Sequence, residues 1–379
     1  MDIVTILKAA VKHDASDIYI TAGRPVTLKV NGRLATISQE VLSEDEARDL
    51  VIGTMTDDQK RGFDRDKECN YAISAAGAGR FRVSALYQRN KIAMVMRRIK
   101  DKIPKFNELN LPEIIEELAM TQRGLIIFVG ATGSGKSTSL AAMIGYRNQN
   151  STGHILTIED PIEFDHEHGG CVVTQREVGI DTASYEIALK NSLRQAPDVI
   201  MIGEIRSQDT MEYGIVFAET GHLCLSTLHA NNANQAMDRI INFFPEERHK
   251  QLFLDLSLNL KAVVAQRLIP KKDGSGRVAA VEILINTPLI GDLIEKGNIA
   301  EIKEVMKRSG ELGMQTFDQA VYDLYMAGEI TYDEAIRNSD SENEVRLMIK
   351  LGSSTIDITS DTGSLALEPE KDDSHHILG

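Results

Sequence analysis

The sequence has few cysteines, no tryptophan and no excess of positive charge. Its three cysteines, Cys69, Cys171 and Cys224, are far apart and form no C-x-x-C pair, which argues against a four-cysteine zinc site or a disulfide framework. The net charge of −14 argues against broad nucleic-acid binding, although residues 80–98 form a local basic stretch. No secretory signal opens the chain, and no apolar run approaches the length of a membrane span. We therefore expect a cytoplasmic protein that binds no nucleic acid.

The pattern along the 379 residues predicts two α/β domains. Helical spacing at 3–11, followed by alternating segments with turn signals, indicates a small domain at 1–100 and a polar linker at 101–111. From residue 124, apolar runs at 125–129, 155–158, 199–202 and 223–227 are mostly separated by helical stretches, which predicts a parallel sheet buried on both faces. We expect this core at 112–287, a helical region at 288–352 and an acidic, disordered tail at 353–379.

A glycine-rich loop follows the first apolar run of the second domain. Residues 130–137 match the pattern G-x-x-x-x-G-K-[ST], and a helical stretch at 139–147 comes next. Glycines allow backbone N–H groups to curl round phosphates, Lys136 would reach the β- and γ-phosphates, and Ser137 would bind Mg²⁺. The sequence therefore predicts a site for ATP and Mg²⁺ formed by Gly130, Ala131, Thr132, Gly133, Ser134, Gly135, Lys136, Ser137 and Thr138.

Acidic residues follow two of the other apolar runs. A cluster from Glu159 to Glu163 comes after 155–158, and Glu204 comes after 199–202. Strand carboxyl ends face the ligand crevice of an open α/β sheet, so these acids belong beside the nucleotide. An ATPase of this kind needs one acid for the metal and another for the attacking water. Glu204, with Ser137, is the predicted metal acid; Glu163 is the candidate for the water, or else a solvated loop acid.

Two histidines and several arginines are further candidates. His222 precedes the run at 223–227 and His229 follows it, so His229 would lie near the γ-phosphate, unless it is a packing histidine. Arginines, including Arg82 and Arg97, crowd the last two predicted strands of the first domain. They would either complete an ATP site or lie on a solvated strand face.

Four sequence blocks together resemble the type II/IV secretion-system ATPases, in their PilT/PilU twitching-motility branch. The blocks are GATGSGKST, TIEDPIEF, LRQAPDVIMIGEIR and ETGHLCLSTLHANN, of which the last three are far more specific than the first. The resemblance implies a small PAS-like N-terminal domain, a RecA-like P-loop core, a helical C-terminal region and a ring of six copies with ATP between the two domains. It also implies catalytic roles for Glu163, Glu204, His229, His222, Arg82 and Arg97.

Departures from the family pattern refine this resemblance. Family members that extend pili or secrete proteins have a further N-terminal domain and usually a four-cysteine zinc site, and neither is present here. Ser207 stands where the block after Glu204 usually has aspartate, which puts the geometry around Arg206 in question. Residues 289–295 read LIGDLIE, which keeps the apolar positions of a retraction-ATPase helix and loses its two basic ones. The last difference, with the acidic tail, is typical of PilU-type members.

The resemblance therefore implies a hexameric, ATP-hydrolysing motor that drives or assists type IV pilus retraction. It would act as an accessory to a sister retraction ATPase, at the cytoplasmic face of the inner membrane, and reach the membrane only through partners such as the pilus platform protein. Two alternatives remain open at this point: a secretion or pilus-assembly ATPase, and a regulatory subunit that binds ATP and docks on a sister motor.

Overall fold

The computed structural model of the protein describes residues 2–30, 32–99 and 103–354. Within these ranges the chain forms a six-stranded sheet, a seven-stranded sheet and a group of C-terminal helices. No helix in the described ranges combines the length and the apolar character that crossing a membrane requires.

The first sheet is antiparallel throughout, in the order β3-β2-β1-β6-β5-β4. Apolar side chains of its helices pack against the sheet, so the alternation seen in the sequence becomes one buried face. The apolar pattern of the sequence did not predict the strands at 33–36 and 68–75 or the helix at 57–66. The elements are α1 (Ile3–Lys12), β1 (Asp17–Thr21), β2 (Thr27–Val30), β3 (Arg33–Thr36), α2 (Glu44–Ile52), α3 (Asp57–Asp66), β4 (Glu68–Ala75), β5 (Gly79–Gln88) and β6 (Lys91–Arg98).

The second sheet has the order β13-β12-β7-β11-β10-β8-β9 and is parallel except for β13. Every residue of β7, β10 and β11 is buried, which accounts for their unbroken apolar sequences. The elements are α4 (Phe106–Leu109), α5 (Ile114–Ala119), β7 (Gly124–Val129), α6 (Lys136–Asn150), β8 (Gly153–Glu159), β9 (Cys171–Glu177), α7 (Tyr185–Ser192), β10 (Val199–Ile202), α8 (Gln208–Glu219), β11 (Leu223–Leu228), α9 (Ala233–Ile241), α10 (His249–Asn259), β12 (Leu260–Pro270) and β13 (Arg277–Ile285).

In the described part of the chain, five α-helices follow the second sheet, and α13 and α14 pack against its β13 and β12 edge. They are α11 (Pro288–Glu295), α12 (Ile302–Arg308), α13 (Phe317–Met326), α14 (Tyr332–Asn338) and α15 (Glu342–Ser354). The tail predicted from residue 353 is therefore wrong at its first two residues, which continue α15, and the rest of it lies outside the described residues. The predicted linker contains α4, and the proposed domain limits stay a prediction.

Candidate nucleotide-binding site

Four neighbouring parallel strands end at the same edge of the second sheet. The loop at 130–135 follows β7, His229 follows β11, Glu204 follows β10, and Glu159 is the last residue of β8. With residues from the following loops and helices, these segments line a cavity of about 330 Å³. Strand order thus brings together side chains that are far apart in the sequence.

The glycine-rich loop has a shape that only a glycine at its first position allows. Gly130 has φ +151, and a Cβ there would clash with Ser134 Oγ and lie 2.5 Å from Gln266 O. Ser134 Oγ is buried and has no hydrogen-bond partner in the described part of the chain. A tight loop with an unpaired buried hydroxyl, leading into the N-terminus of α6, suits a phosphate group. The loop residues therefore fit the predicted nucleotide.

Lys136 lies against this loop. Its Nζ donates hydrogen bonds to Gly130 O at 2.8 Å and Ala131 O at 3.0 Å. Burial lowers the pKa of Lys136, and the nearby carboxylates Glu204 and Glu163 oppose that effect. The ammonium group is thus held between the loop carbonyls and two acids, where it can bind a phosphate oxygen.

Glu204 joins two other candidate side chains at the end of β10. Its Oε2 accepts from Arg206 Nε at 2.7 Å, and its Oε1 lies 3.2 Å from His229 Nε2. Ser207, which replaces the usual aspartate, caps α8 by accepting a hydrogen bond from the Thr210 N–H. Serine and aspartate serve equally well as N-caps, so this departure preserves the start of α8 and leaves Arg206 bound to Glu204.

Two glutamates, one at the end of β8 and one in the loop after it, have different surroundings. Glu163 is exposed and lines the cavity, as expected for a residue that meets water. Glu159 is buried and accepts from Thr157 Oγ1 at 2.7 Å and Gln175 Nε2 at 3.2 Å. Burial raises the pKa of Glu159 to about 7. Sequence reasoning placed Glu159 in the acidic cluster but gave it no role, although its position as the last strand residue was a signal of burial.

Tyr185 also lines the cavity and was missed by sequence reasoning. It stands at the start of α7, and its hydroxyl is so close to Gly203 that a Cβ there would lie 2.9 Å from it. Burial raises the pKa of Tyr185, and Asp160 adds to the effect. The phenol therefore stays neutral and can act as a hydrogen-bond donor beside the acids. A lone tyrosine at a helix start offers no sequence signal of this role.

Arginines of the first sheet reach the loop that follows β8. Arg82 Nη2 lies 4.0 Å from Asp160 Oδ1, so Arg82 stands at the edge of the site. Arg97 is the partner of Arg82 across β5 and β6, but its Nε donates to Asp17 Oδ1 at 2.9 Å instead. The structure therefore places Arg82, and not Arg97, beside the cavity of the same chain.

His222 lies at the amino end of β11, the opposite edge of the sheet from Glu204. Its Nδ1 is 3.0 Å from Thr220 Oγ1 and 3.2 Å from Phe217 O. The structure thus gathers Glu163, Glu204 and His229 around the loop but leaves His222 and Arg97 elsewhere. The catalytic roles of all these residues stay predictions.

A parallel sheet with a phosphate-binding loop after one strand and acids after its neighbours defines a P-loop nucleotide-binding protein. The comparisons with known proteins are more specific. The family model described as "Type II/IV secretion system protein" matches residues 1–288. The type IV pilus ATPase PilU of Pseudomonas aeruginosa is 62% identical over 375 residues, 98% of each chain. The type IV pilus retraction ATPase PilT of the same organism is 40% identical over 335 residues, 88% of this chain and 97% of PilT.

Solved structures agree with this result. The crystal structure of the pilus retraction motor PilT with bound ADP has a TM-score of 0.86 at 38% identity, covering 92% of this chain and all of the other. The Legionella pneumophila ATPase DotB has a TM-score of 0.72 at 28% identity, covering 92% of this chain and 96% of DotB. The chain belongs to the type II/IV secretion system protein family, in its PilT/PilU branch. The predicted family, branch and fold class are confirmed, and the identity values support the predicted likeness to PilU.

Proposed function

We propose that this chain is an ATP-hydrolysing motor subunit that drives or assists type IV pilus retraction. The observation that carries the proposal is the convergence of Lys136, Glu163, Glu204 and His229 on one cavity beside the glycine-rich loop. The similarity to PilU along almost the whole chain supports the same reading.

The residues around the cavity have different roles in phosphoryl transfer. Backbone N–H groups of the loop and Lys136 bind the phosphates, and Glu163 orients the attacking water. His229, which lies 3.2 Å from Glu204, would hydrogen-bond the terminal phosphate and respond to its loss. Ser137 and Glu204 would hold Mg²⁺, which neutralises phosphate charge. Arg82 would add positive charge from the first sheet.

The ring and its partners are further parts of the proposal. Six copies would form a homo-hexamer at the cytoplasmic face of the inner membrane, acting with a sister retraction ATPase and the pilus platform protein. On α11, Ile290, Leu293 and Ile294 are buried while Leu289 is 55% exposed. Three apolar positions thus secure the helix. Gly291 and the exposed Glu295 stand at the two positions where a retraction-ATPase helix has basic residues, and Asp292 adds a further exposed acid. This charge pattern supports an accessory motor that engages the platform poorly alone.

Purified protein tests the hydrolysis step. Lys136→Ala should reduce ATP hydrolysis to background, because it removes the cation from the loop. Glu163→Gln should bind ATP as the wild type does and turn over at least about a hundredfold more slowly, since the water loses its carboxylate. Lys190→Ala, which changes an exposed lysine of α7, is the control. Near-normal turnover by Glu163→Gln would transfer the water-orienting role to another acid.

Cells test the accessory role. This chain should support retraction when the sister motor assembles but has an inactive P-loop, and should fail when the sister is absent. Full retraction by this chain without the sister would contradict the accessory role and leave the ATPase proposal intact.

A further inference from the structure

The segment 229–232 joins β11 to α9 and connects the nucleotide site to the C-terminal helices. At its start, His229 meets Glu204 at 3.2 Å. His229, Ala230 and Asn231 also line a groove of about 590 Å³ together with Gly130 and Ala131 of the glycine-rich loop. The position of this segment therefore sets the distance between His229 and the residues that would face the terminal phosphate.

Asp340, between α14 and α15, holds the other end of this segment. Its Oδ2 accepts from Asn232 Nδ2 at 3.1 Å, and its Oδ1 accepts from Arg267 Nη2 at 2.6 Å. The same Arg267 nitrogen donates to Asn231 O at 3.3 Å. Asn232 has a second task, because its Oδ1 caps α9 by accepting from Gln235 N at 2.9 Å. We call Asp340, Arg267 and Asn232 the Asp340 clamp.

Further contacts hold the charged side chains of the clamp. Arg267 is fixed by Asn338 O at 2.6 Å and lies 3.9 Å above the ring of Phe317. Lys303 Nζ reaches Asp340 Oδ2 at 3.0 Å. Burial would raise the pKa of Asp340, but the bonds from Lys303 and Arg267 outweigh it and keep that pKa below its usual value. The clamp therefore stays ionised at neutral pH and is costly to break, since half-buried cations would lose their partner.

We propose that Asp340 is a positioning residue for ATP hydrolysis, because its bonds to Asn232 and Arg267 fix the segment that carries His229. The proposal rests on the ATPase activity proposed above. It assigns a part in the reaction to a residue between two C-terminal helices, about two hundred positions from the glycine-rich loop. A small displacement of His229 is expected to slow the reaction strongly while leaving ATP bound through the glycine-rich loop.

Two carboxylates, Asp340 and Glu344, are bound by lysines one turn apart on α12, and a comparison of the two tests the proposal. Lys307, one turn after Lys303 on α12, binds Glu344 at 2.7 Å in the same way that Lys303 binds Asp340. Glu344→Ala removes an ion pair between helices without touching the clamp, and should leave kcat at the wild-type value. Asp340→Ala should lower kcat about tenfold or more, with the Kd for ATP unchanged within about threefold. If Asp340→Ala and Glu344→Ala had the same kcat, whether equal to the wild-type value or below it, the proposal would be overturned.

Two further measurements separate positioning from stability. In a His229→Ala background, Asp340→Ala should cause no further fall in kcat, because both changes act through the same side chain; an additive fall would overturn the proposal. Asn232→Asp keeps the cap of α9 but places a second carboxylate against Asp340, and should also lower kcat. A kcat for Asn232→Asp equal to that of the wild type would overturn the proposal.

The outcomes also distinguish this proposal from the proposed function. If the wild-type chain, assembled as a full ring, hydrolyses no ATP while Lys136→Ala behaves identically, the ATPase assignment fails. If the wild type is active and the clamp variants have the same kcat as the wild type, the positioning proposal fails alone. Thermal unfolding of each variant verifies that it is folded, and Asp340→Asn, which preserves the size of the side chain, provides a second variant if Asp340→Ala does not fold.

Discussion

The buried carboxyl of Glu159 should make the stability of the protein depend on pH in a way that one substitution removes. Burial raises the pKa of Glu159 from 4.5 to about 7. The folded chain therefore keeps this proton between about pH 4.5 and 7, where the unfolded chain has released it. The free energy of unfolding should fall as the pH rises through this window. Above about pH 7, Glu159 is ionised in the folded protein as well, and the loss of stability should be complete.

The size of the effect follows from the shift. Each pKa unit corresponds to about 1.4 kcal/mol, so ionised Glu159 should cost the folded state about 3 kcal/mol at pH 8. Glu159→Gln keeps the oxygen that accepts from Thr157 and Gln175, since both bonds end on Oε1. The variant should match the wild type at pH 4 and exceed its free energy of unfolding by about 3 kcal/mol at pH 8.

Urea unfolding at several pH values between 4 and 8 provides the measurement. Glu167→Gln is the control, because it removes an exposed carboxylate from the same loop between β8 and β9. The difference between Glu159→Gln and the control should grow as the pH rises. Parallel curves for the wild type and Glu159→Gln across the whole range would refute the argument that Glu159 is protonated in the folded protein.

Two other predictions concern the glycine-rich loop and Arg82. Gly130→Ala should lower the free energy of unfolding by about 3 kcal/mol, because its methyl group meets two oxygens in a backbone that also strains an L-residue. Gly133→Ala, at φ +79 with open space around it, should cost only about 1–2 kcal/mol; urea unfolding without nucleotide measures both, and equal losses would contradict the contact argument. Arg82→Ala should lower kcat at least about tenfold with little change in ATP affinity, since its charge would act on the transition state. Steady-state kinetics and nucleotide titration check this, and a matching loss of affinity would indicate simple phosphate binding.

The central strands and the site they carry could be predicted because their sequence signals are local. Strands buried on both faces are continuously apolar, and the residues that follow them fall at the ligand edge. Glu204 and His229, selected on that basis, both line the cavity, while their catalytic roles stay predictions. Their contact follows from β10 and β11 being neighbours. The sequence does not indicate the order of the strands, so only the structure shows that Glu204 and His229 are in contact.

Other parts of the fold were hidden by competing patterns. Leu252, Leu256 and Leu260 continue a helical spacing from α10 into β12, so the sequence does not show where the helix ends and the strand begins. β13 contains the buried Glu282, which accepts from the Ala233 N–H at 2.7 Å and interrupts an otherwise apolar run. The Asp340 clamp depends on contacts across long separations, for which a single sequence offers no signal.

Arg80 and Glu177 form an ion pair between the two sheets described above. Arg80 Nη2 on β5 lies 3.8 Å from Glu177 Oε2 on β9, so a cation of one sheet meets a buried carboxyl of the other. Burial raises the pKa of Glu177, and Arg80 and Arg82 oppose that effect. If β5 moved away from β9, this buried carboxyl would lose its contact with Arg80, which is costly for a charged group in the interior. The ion pair therefore favours the arrangement in which the two sheets are in contact.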